Sequence, residues 1–291
     1  MSTGYADELA AAGLDPAWVR ELIDRALAED LAGRGDITSA ATIPERLLGT
    51  ADVVLRAAGV LAGVPVACSV LTALDAEARI EVRSADGQRG SRGDVVLTVS
   101  GRVRQLLTAE RTMLNLLCWA SGVATATRAW ADALEGTGAR VLDTRKTTPG
   151  LRALDKYAVR CGGGTNKRFG LYDVAMIKDN HVVAGGGVAL AYAAVRRAWP
   201  DTEIQVEVTS AGMAREAVAA GASFLLCDNM SPPELRDVVA AVGPGVELEA
   251  TGGLTLDRAR EYAETGVHYL SVGALTHSAP VLDIALDLRA C

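Results

Sequence analysis

The 291-residue sequence predicts an α/β fold: a (β/α) barrel, complete or incomplete, preceded by a smaller part that mixes helices with antiparallel strands. From residue 140 onward, short apolar segments alternate with Ala-rich helical segments, a pattern typical of parallel sheets with right-handed crossovers. Polar and charged residues follow one apolar segment after another, and a barrel gathers such residues at the mouth where barrel enzymes bind substrate. An open doubly wound sheet would spread them along an edge, so we favour the barrel.

The chain up to about Val103 supplies the elements of the smaller part. Asp15 and Pro16 predict a helix over residues 17–29, because aspartate caps helix N-termini and proline suits the first helical position. Apolar or alternating runs between Gly-rich turns predict short antiparallel strands at residues 51–56, 78–83 and 95–100. A long helix is predicted over 106–130, although Gly122 weakens its middle.

The alternating part of the chain predicts the strands and helices of the barrel. The predicted strands are 141–142, 174–177, 204–208, 224–227, 246–248 and 269–272. The clearest predicted helices are 211–220, 233–241 and 256–265. A final apolar segment, 281–288, is expected to pack back on the first part.

Composition excludes several classes of protein. A net charge of −7 argues against nucleic acid or an anionic membrane as the main partner. The longest uncharged stretch, 57–74, contains two glycines and a proline and is a poor membrane span. Asp7 and Glu8 stand where a secretory signal would be basic and then apolar. The five cysteines are dispersed and form no CxxC pair, so we expect a cytoplasmic protein without a disulfide or zinc framework.

A cationic segment stands out in this acidic chain. All four lysines fall between residues 146 and 178, and residues 140–178 hold nine Lys and Arg against three Asp. Such a cluster indicates an anionic ligand. Within it, the glycines 162–164 precede Lys167 and Arg168 and are typical of a mobile loop that presents two cations.

Two glycine-containing turns follow the last two predicted strands. Gly252 and Gly253 form the first, and Ser271 and Gly273 belong to the second. Backbone N–H groups approach an anion closely where no Cβ intervenes, and barrels often bind phosphate at this place. The alternative is that both are simply tight connections; their pairing on consecutive strands favours phosphate.

Three more charged residues end predicted strands. Glu207 and Asp228 are suited to Mg²⁺ or ribose hydroxyls, or they pair with basic residues. Lys178 is either a Schiff-base lysine or a cation aimed at a carboxylate. Two enzyme classes fit these residues, phosphoribosyl transfer and a sugar-phosphate aldolase reaction, and the number of cations favours the first. The dispersed histidines, 181, 268 and 277, are expected to be structural.

Several segments resemble the quinolinate phosphoribosyltransferase family. They include ERTMLN at 110–115, DTRKTTPG at 143–150, KYAVRCGGG at 156–164, IKDNH at 177–181 and SVGALTH at 271–277. The likeness begins at Glu29 and Asp30, continues through GDIT at 35–38, and reaches almost to the C-terminus.

The resemblance implies a fold, a reaction and a partner. Residues 1–112, joined by 277–291, are expected to form an open-faced α/β sandwich, and residues 113–276 the barrel. The expected enzyme is a homodimer in which each sandwich covers the barrel mouth of the other subunit. With Mg²⁺, it converts quinolinate and phosphoribosyl pyrophosphate into nicotinate mononucleotide, pyrophosphate and CO₂ in de novo NAD biosynthesis.

The resemblance also implies roles for individual residues. The residues that would bind the carboxylates of quinolinate are Arg145, Lys167, Arg168, Lys178 and, from the other subunit, Arg111. The expected catalytic residues are Lys146, which meets phosphoribosyl pyrophosphate, and Glu207 and Asp228, which meet the ribose hydroxyls and Mg²⁺. The 5′-phosphate would lie against Gly252, Gly253, Ser271 and Gly273.

One position departs from the family pattern. The family usually has histidine where this chain has Lys167, which replaces a titrating group by a permanent cation on a longer stem. The change either preserves charge or marks a paralogue for a different aromatic acid. A non-catalytic sensor of quinolinate or nucleotide would be expected to lose its metal-binding carboxylates first, yet Glu207 and Asp228 are both present.

Overall fold

The computed structural model describes residues 4–289, which form two compact units. The sheet unit contains the chain up to Ala126, Ala153–Gly163 and the segment from Ala279. The barrel unit contains Thr127–Arg152 and Gly164–Ser278. The outermost residues of the predicted sandwich, 1–3 and 290–291, lie outside the described range. The domain boundary predicted after residue 112 falls inside one continuous helix and stays a prediction.

Helices and strands alternate along most of the described chain. The helices are α1 Gly4–Ala11, α2 Pro16–Leu31, α3 Ile37–Thr42, α4 Val64–Leu74, α5 Val103–Ala133, α6 Arg152–Cys161, α7 Asp179–Gly185, α8 Val188–Ala198, α9 Ala211–Ala219, α10 Pro232–Val242, α11 Ala259–Ala263 and α12 Ala274–His277. The strands are β1 Leu48–Leu55, β2 Gly59–Val60, β3 Arg79–Val82, β4 Arg89–Gly90, β5 Val95–Arg102, β6 Arg140–Leu142, β7 Ala175–Ile177, β8 Ile204–Val208, β9 Phe224–Asp228, β10 Glu247–Thr251, β11 Tyr269–Ser271 and β12 Ile284–Leu288.

The sheet unit is built around a four-stranded antiparallel sheet in the order β12-β1-β5-β3. The three predicted strands of this part are confirmed as β1, β3 and β5. The predicted return of the final segment is also confirmed, because β12 pairs with β1 from Ala51 opposite Leu288 to Leu55 opposite Ile284.

Helix α4 occupies most of the uncharged stretch 57–74, whose glycines and proline make it a poor membrane span. Its N-terminus is capped from a distance, because the Asp86 carboxylate accepts the backbone N–H groups of Gly63 and Val64. Most of the helix is buried in the sheet unit. Within residues 4–289, each helix is too short or too polar to cross a bilayer.

Helix α5 continues through Gly122 although glycine lowers helix propensity. A β-carbon at this position would lie 2.3 Å from the carbonyl oxygen of Pro280, which precedes β12. The glycine therefore permits a close backbone approach within the sheet unit. The four cysteines in the described range are free thiols, and Cys291 lies outside it.

The barrel unit contains six parallel strands in the order β6-β11-β10-β9-β8-β7. All six predicted strands are confirmed, and the (β/α) architecture is the incomplete form, with six strands rather than eight. At the β6 edge, Thr165 forms an isolated parallel bridge with Leu142, so the segment that follows the glycine run lies along β6. The predicted helix over 256–265 begins instead as a 3₁₀ turn, because the N–H of Arg258 bonds to the carbonyl of Thr255.

Candidate active site

A cavity of about 540 Å³ lies at the carboxyl ends of the parallel strands, and all six strands contribute lining residues at or just after these ends. The predicted site residues that it brings together are Arg145, Lys146, Lys167, Arg168, Lys178, Glu207, Asp228, Gly252, Gly253 and Ser271. Barrel enzymes bind substrates at this face. The cavity lies wholly within the barrel unit.

The register of the parallel sheet explains why these side chains meet. Glu207 lies opposite Leu226, which lies opposite Glu249 on the next strand, and all three line the cavity. Neighbours in one row of a sheet point to the same face. Glu249 was missed as a site residue, and the row that it shares with Glu207 is the signal that identifies it.

The next row toward the cavity opening is more polar. Thr251 lies opposite both Asp228 and Ser271, and it was also missed as a site residue. Asn229, a further missed residue, donates its side-chain N–H to the Asp228 carboxylate at 2.9 Å. The Ser271 hydroxyl is buried and has no hydrogen-bond partner among the described residues. A buried hydroxyl of this kind is available to a bound ligand or an ordered water.

Lys178 and Glu207 form an ion pair at the ends of β7 and β8. Its carboxylate is nearly buried, whereas the Lys178 side chain is 44% exposed. In the structure, Lys178 is thus a cation aimed at a carboxylate and Glu207 pairs with a basic residue, while the role of Glu207 toward Mg²⁺ stays a prediction. The Lys178 backbone N–H donates to Nδ1 of His181 at 3.0 Å, a contact at the start of α7.

Arg145 and Arg168 bring two positive charges close together. The Nε of Arg145 is buried and has no hydrogen-bond partner within residues 4–289. Arg168 donates from Nη1 to the carbonyl of Val174 at 3.1 Å. Burial lowers the pKa of the Arg168 guanidinium, and the neighbouring charge of Arg145 lowers this pKa further. Two neighbouring cations with a donor left over are suited to binding an anion, and the predicted contact with substrate carboxylates stays a prediction.

Lys167 lies inside the cavity lining, with only 7% of its side chain exposed. Its ammonium donates to both carboxylate oxygens of Glu249, which is 0% exposed. Its backbone N–H donates to Asp143, also 0% exposed, at 2.7 Å. Whether Lys167 also contacts a substrate carboxylate stays a prediction.

The first glycine turn requires glycine. Gly252 has φ +90°, and a β-carbon there would lie 2.3 Å from Oδ1 of Asn229. The Asn229 N–H donates to the carbonyl of Thr251 at 2.8 Å, which fixes the residue after β9 against the end of β10, where the turn begins. Backbone conformation and space both exclude a side chain at position 252.

The second turn holds Lys146 in place. Gly273 has ordinary helical backbone angles, but a β-carbon there would lie 2.8 Å from Cδ of Lys146. The buried hydroxyl of Thr276 donates to the carbonyl of Lys146 at 2.8 Å. Gly273 itself does not line the cavity, and its absent side chain leaves room for the Lys146 stem.

Comparison with known proteins decides the family. The family model described as the quinolinate phosphoribosyl transferase C-terminal domain matches residues 123–287, and the model of the N-terminal domain matches residues 36–121. The chain belongs to the quinolinate phosphoribosyltransferase family. The resemblance seen in the sequence motifs is therefore confirmed.

Relatives with curated names cover nearly the whole chain. The nicotinate-nucleotide pyrophosphorylase [carboxylating] of Mycobacterium leprae is 51% identical over 92% of this chain and 96% of its own length. The probable enzyme of the same name from Bacillus subtilis is 39% identical over 93% of both chains. Among solved structures, the nicotinate-nucleotide pyrophosphorylase of Francisella tularensis is 36% identical, with a TM-score of 0.90 over 94% of this chain and 96% of that one.

Arg111, the residue that family resemblance assigned to the neighbouring subunit's site, lies elsewhere in this member of the quinolinate phosphoribosyltransferase family. It is exposed on α5 in the sheet unit and does not line the cavity. A role for Arg111 thus depends on a second subunit and stays a prediction.

The metal prediction for this family member depends on Glu207 and Asp228. The described residues contain no group of three or more His, Cys, Asp or Glu that could hold a metal ion. Mg²⁺ commonly binds through one or two carboxylates together with substrate phosphates and water. The donor set therefore fits Mg²⁺ held jointly with a pyrophosphate-bearing substrate, and it does not fit a cage made of protein ligands alone.

Proposed function

We propose that the protein transfers the phosphoribosyl group of phosphoribosyl pyrophosphate to quinolinate with loss of CO₂, as a pentosyltransferase of NAD biosynthesis. The observation that carries the proposal is one cavity at the carboxyl ends of the strands that is lined both by two guanidinium groups, Arg145 and Arg168, and by carboxylates on β8, β9 and β10. Quinolinate carries two carboxylates on neighbouring ring atoms, and arginine recognises carboxylates through parallel hydrogen bonds.

The acid-binding part of the cavity consists of Arg145, Arg168 and Lys178. The buried Nε of Arg145 supplies a donor that a substrate carboxylate satisfies. Lys178 is shared between Glu207 and the substrate, since its side chain remains 44% exposed after pairing. Five cationic side chains line the cavity against three carboxylates, an excess that favours a polyanionic substrate pair.

The phosphoribosyl part of the cavity lies across the two turns. The glycine at 252 and the Ser271 hydroxyl receive the 5′-phosphate, because both residues line the cavity and the Ser271 hydroxyl has no hydrogen-bond partner among the described residues. Lys146, fixed through Thr276, meets the pyrophosphate. Mg²⁺ held by Glu207 and Asp228 supplies charge neutralisation for the phosphate oxygens when it is bound.

The chemistry follows from these positions. As the bond between the anomeric carbon and pyrophosphate breaks, Glu207 and Asp228 stabilise the positive charge that develops on the ribose ring. The pyridine nitrogen forms the new bond to that carbon and becomes a pyridinium. The adjacent carboxylate then leaves as CO₂, its bonding electrons remain on the ring carbon, and a proton replaces it. The protein contributes mainly by holding two polyanions in the reacting geometry.

The proposed assembly is a homodimer in the cytoplasm with active sites shared between subunits. Arg111 supports sharing, because it is exposed on α5 and lies in the sheet unit rather than in the cavity lining. In the proposed dimer, the sheet unit of each subunit covers the cavity of the other, and Arg111 adds a cation to the acid-binding part.

A product assay tests the proposed function directly. The purified protein is incubated with phosphoribosyl pyrophosphate, Mg²⁺ and either quinolinate or nicotinate, and nicotinate mononucleotide, pyrophosphate and CO₂ are quantified. We expect all three products in equal amounts from quinolinate, and little product from nicotinate, which lacks the second carboxylate. Preference for nicotinate, or product without CO₂ release from quinolinate, contradicts the proposal and favours a different aromatic acid.

A further inference from the structure

Two fully buried carboxylates hold one lysine of the cavity. Asp143, directly after β6, accepts the backbone N–H of Lys167 at 2.7 Å, and it also accepts the side-chain N–H of Asn166 at 2.7 Å. Glu249, on β10, binds the ammonium of Lys167 through both oxygens, one of them at 2.5 Å. Residue 167 is thus fixed at its backbone from one strand and at its side chain from another.

The position of Arg168 depends on the contacts that hold Lys167. Arg168 follows Lys167 directly and lines the same cavity as Arg145, whose positive charge lowers the pKa of the Arg168 guanidinium. The segment runs along β6 only briefly, through the single bridge between Leu142 and Thr165. Beyond that bridge, Asp143 and Glu249 make polar contacts that fix Lys167. These contacts therefore set the backbone position from which the Arg168 side chain extends.

We propose that Glu249 is a positioning residue of the acid-binding site: it anchors the Lys167 ammonium in the cavity wall and thereby places Arg168 beside Arg145 for the two carboxylates of quinolinate. The inference rests on the proposed function and assigns the substrate contact to Arg168, with Lys167 acting as its support.

The electrostatics of the wall explain why a carboxylate is needed at this position. Burial lowers the pKa of Lys167, the positive charges of Lys178 and Arg168 lower it further, and Glu249 acts in the opposite direction. The Phe224 ring, 6.0 Å from the ammonium, adds a weak attraction. Without Glu249, the ammonium loses its proton or leaves the wall, and in both cases the segment loses the side-chain contact that anchors it.

The competing arrangement has Lys167 itself in contact with quinolinate. In that arrangement Glu249 competes with the substrate for the ammonium, so its neutralisation would improve or preserve quinolinate binding. In the proposed arrangement the same change disturbs Arg168 and weakens binding. The two arrangements therefore predict opposite effects of one substitution.

The test compares Glu249→Gln with the double variant Lys167→Met/Glu249→Gln in the full-length enzyme. We expect Glu249→Gln to raise KM for quinolinate about tenfold, because a small displacement of a substrate-binding group is costly. KM for phosphoribosyl pyrophosphate should stay within about twofold, because glutamine is nearly the same shape as glutamate and the carboxylate that it replaces holds Lys167 rather than the turn at Gly252. The double variant contains neither a lone buried cation nor a lone buried carboxylate, so its quinolinate KM should fall below that of Glu249→Gln.

The proposal is overturned if the quinolinate KM of Glu249→Gln lies below that of the double variant. A quinolinate KM for Glu249→Gln that is unchanged or lowered, together with a higher KM for the double variant, would show that Lys167 binds the substrate. If Glu249→Gln does not fold, Glu249→Asp takes its place, because it keeps the charge but withdraws it by one methylene. The same rise in quinolinate KM is then expected.

Direct binding separates this inference from the proposed function. Calorimetry with quinolinate alone gives the order of affinities without any turnover. If the wild-type protein binds quinolinate and the variants follow the expected order, but no nicotinate mononucleotide forms, the proposed reaction fails and the role of Glu249 stands. If turnover is normal and the order is reversed, only the role of Glu249 fails.

Discussion

Gly122 packs against the backbone of Pro280, with space for a hydrogen but not for a methyl group. A β-carbon at position 122 would lie 2.3 Å from the Pro280 carbonyl oxygen and 2.9 Å from Cα of Val281. Both neighbouring contacts are backbone and cannot turn away as a flexible side chain can. The pair joins the middle of α5 to the segment that leads into β12.

We expect Gly122→Ala to lower the free energy of unfolding by about 1–3 kcal/mol, because overpacking outweighs the gain in helix propensity. Gly33→Ala is the matched control, since Gly33 has no atom within 4 Å of its β-carbon position and no positive φ. Chemical denaturation of both variants measures the difference. Equal stability of the two would mean that the segment before β12 yields without cost.

Arg145 is expected to be indispensable for quinolinate. Arg145→Ala removes the buried Nε donor and the guanidinium beside Arg168, so kcat/KM for quinolinate should fall by about a hundredfold or more. Arg145→Lys keeps the charge but lacks the planar fork, and it should recover only a small part of the loss. Circular dichroism checks folding. Near wild-type activity in a folded Arg145→Ala protein rules out this acid-binding site.

Turnover should require Mg²⁺ through Glu207 and Asp228. Excess chelator should abolish activity, and Asp228→Asn should raise the Mg²⁺ concentration needed for half-maximal rate about tenfold or more. Asp237→Asn, an exposed change on α10 outside the cavity, is the control and should leave the Mg²⁺ requirement unaltered. Full activity in the presence of chelator is incompatible with the metal proposal.

Shared active sites can be detected by mixing two inactive variants. Arg111→Ala and Lys146→Ala each damage one contributor to a site, and a hybrid dimer keeps one intact site. Random subunit exchange should therefore restore about a quarter of wild-type activity. A tag pull-down verifies the exchange. If hybrids form and no activity returns, each chain uses its own Arg111.

The Asp36 cap of α3 should give a stability contribution that acid removes. Hydrogen bonds from Ser39 and the N–H of Thr38 lower the pKa of the Asp36 carboxyl below its usual 3.8. A lowered folded-state pKa contributes stability that is present above about 3.8 and disappears as the pH falls through the folded value.

Asp36→Asn keeps a cap without an ionisable group and is therefore the informative variant. The stability difference between wild type and Asp36→Asn should be constant at neutral pH and shrink below about pH 4. Denaturation midpoints of both proteins at several pH values measure this difference. A gap that does not change with pH would leave the charge of Asp36 without a role in the cap.

The sequence predicted most strands of the fold, because their apolar runs are short and bounded by turn residues. The sequence was less informative about α4, a helix that is mostly buried. Helix α4 is apolar along nearly its whole length, so it lacks the alternation that marks an amphipathic helix. Its cap, Asp86, lies about twenty residues away in the chain, beyond the reach of local capping rules.

In the candidate site, too, contacts between residues distant in the chain could not be predicted from the sequence. The charged residues at strand ends were visible in the sequence, and the cavity brings most of them together. Glu249 was missed because its importance follows from register: it shares a row with Glu207 and binds an ammonium 82 residues away in the chain. Burial of Lys167 was equally hidden, since a glycine-rich stretch gives no sign of the two carboxylates that hold the residue.

The pairing of β12 with β1 has a consequence for synthesis in the cell. All strands of the barrel unit are synthesised before β12, so the antiparallel sheet lacks its edge strand while the barrel unit is being made. While β12 is unpaired, the outer edge of β1 exposes N–H and C=O groups that can pair with another chain. Completion of the sheet therefore waits for a strand from the far end of the described chain.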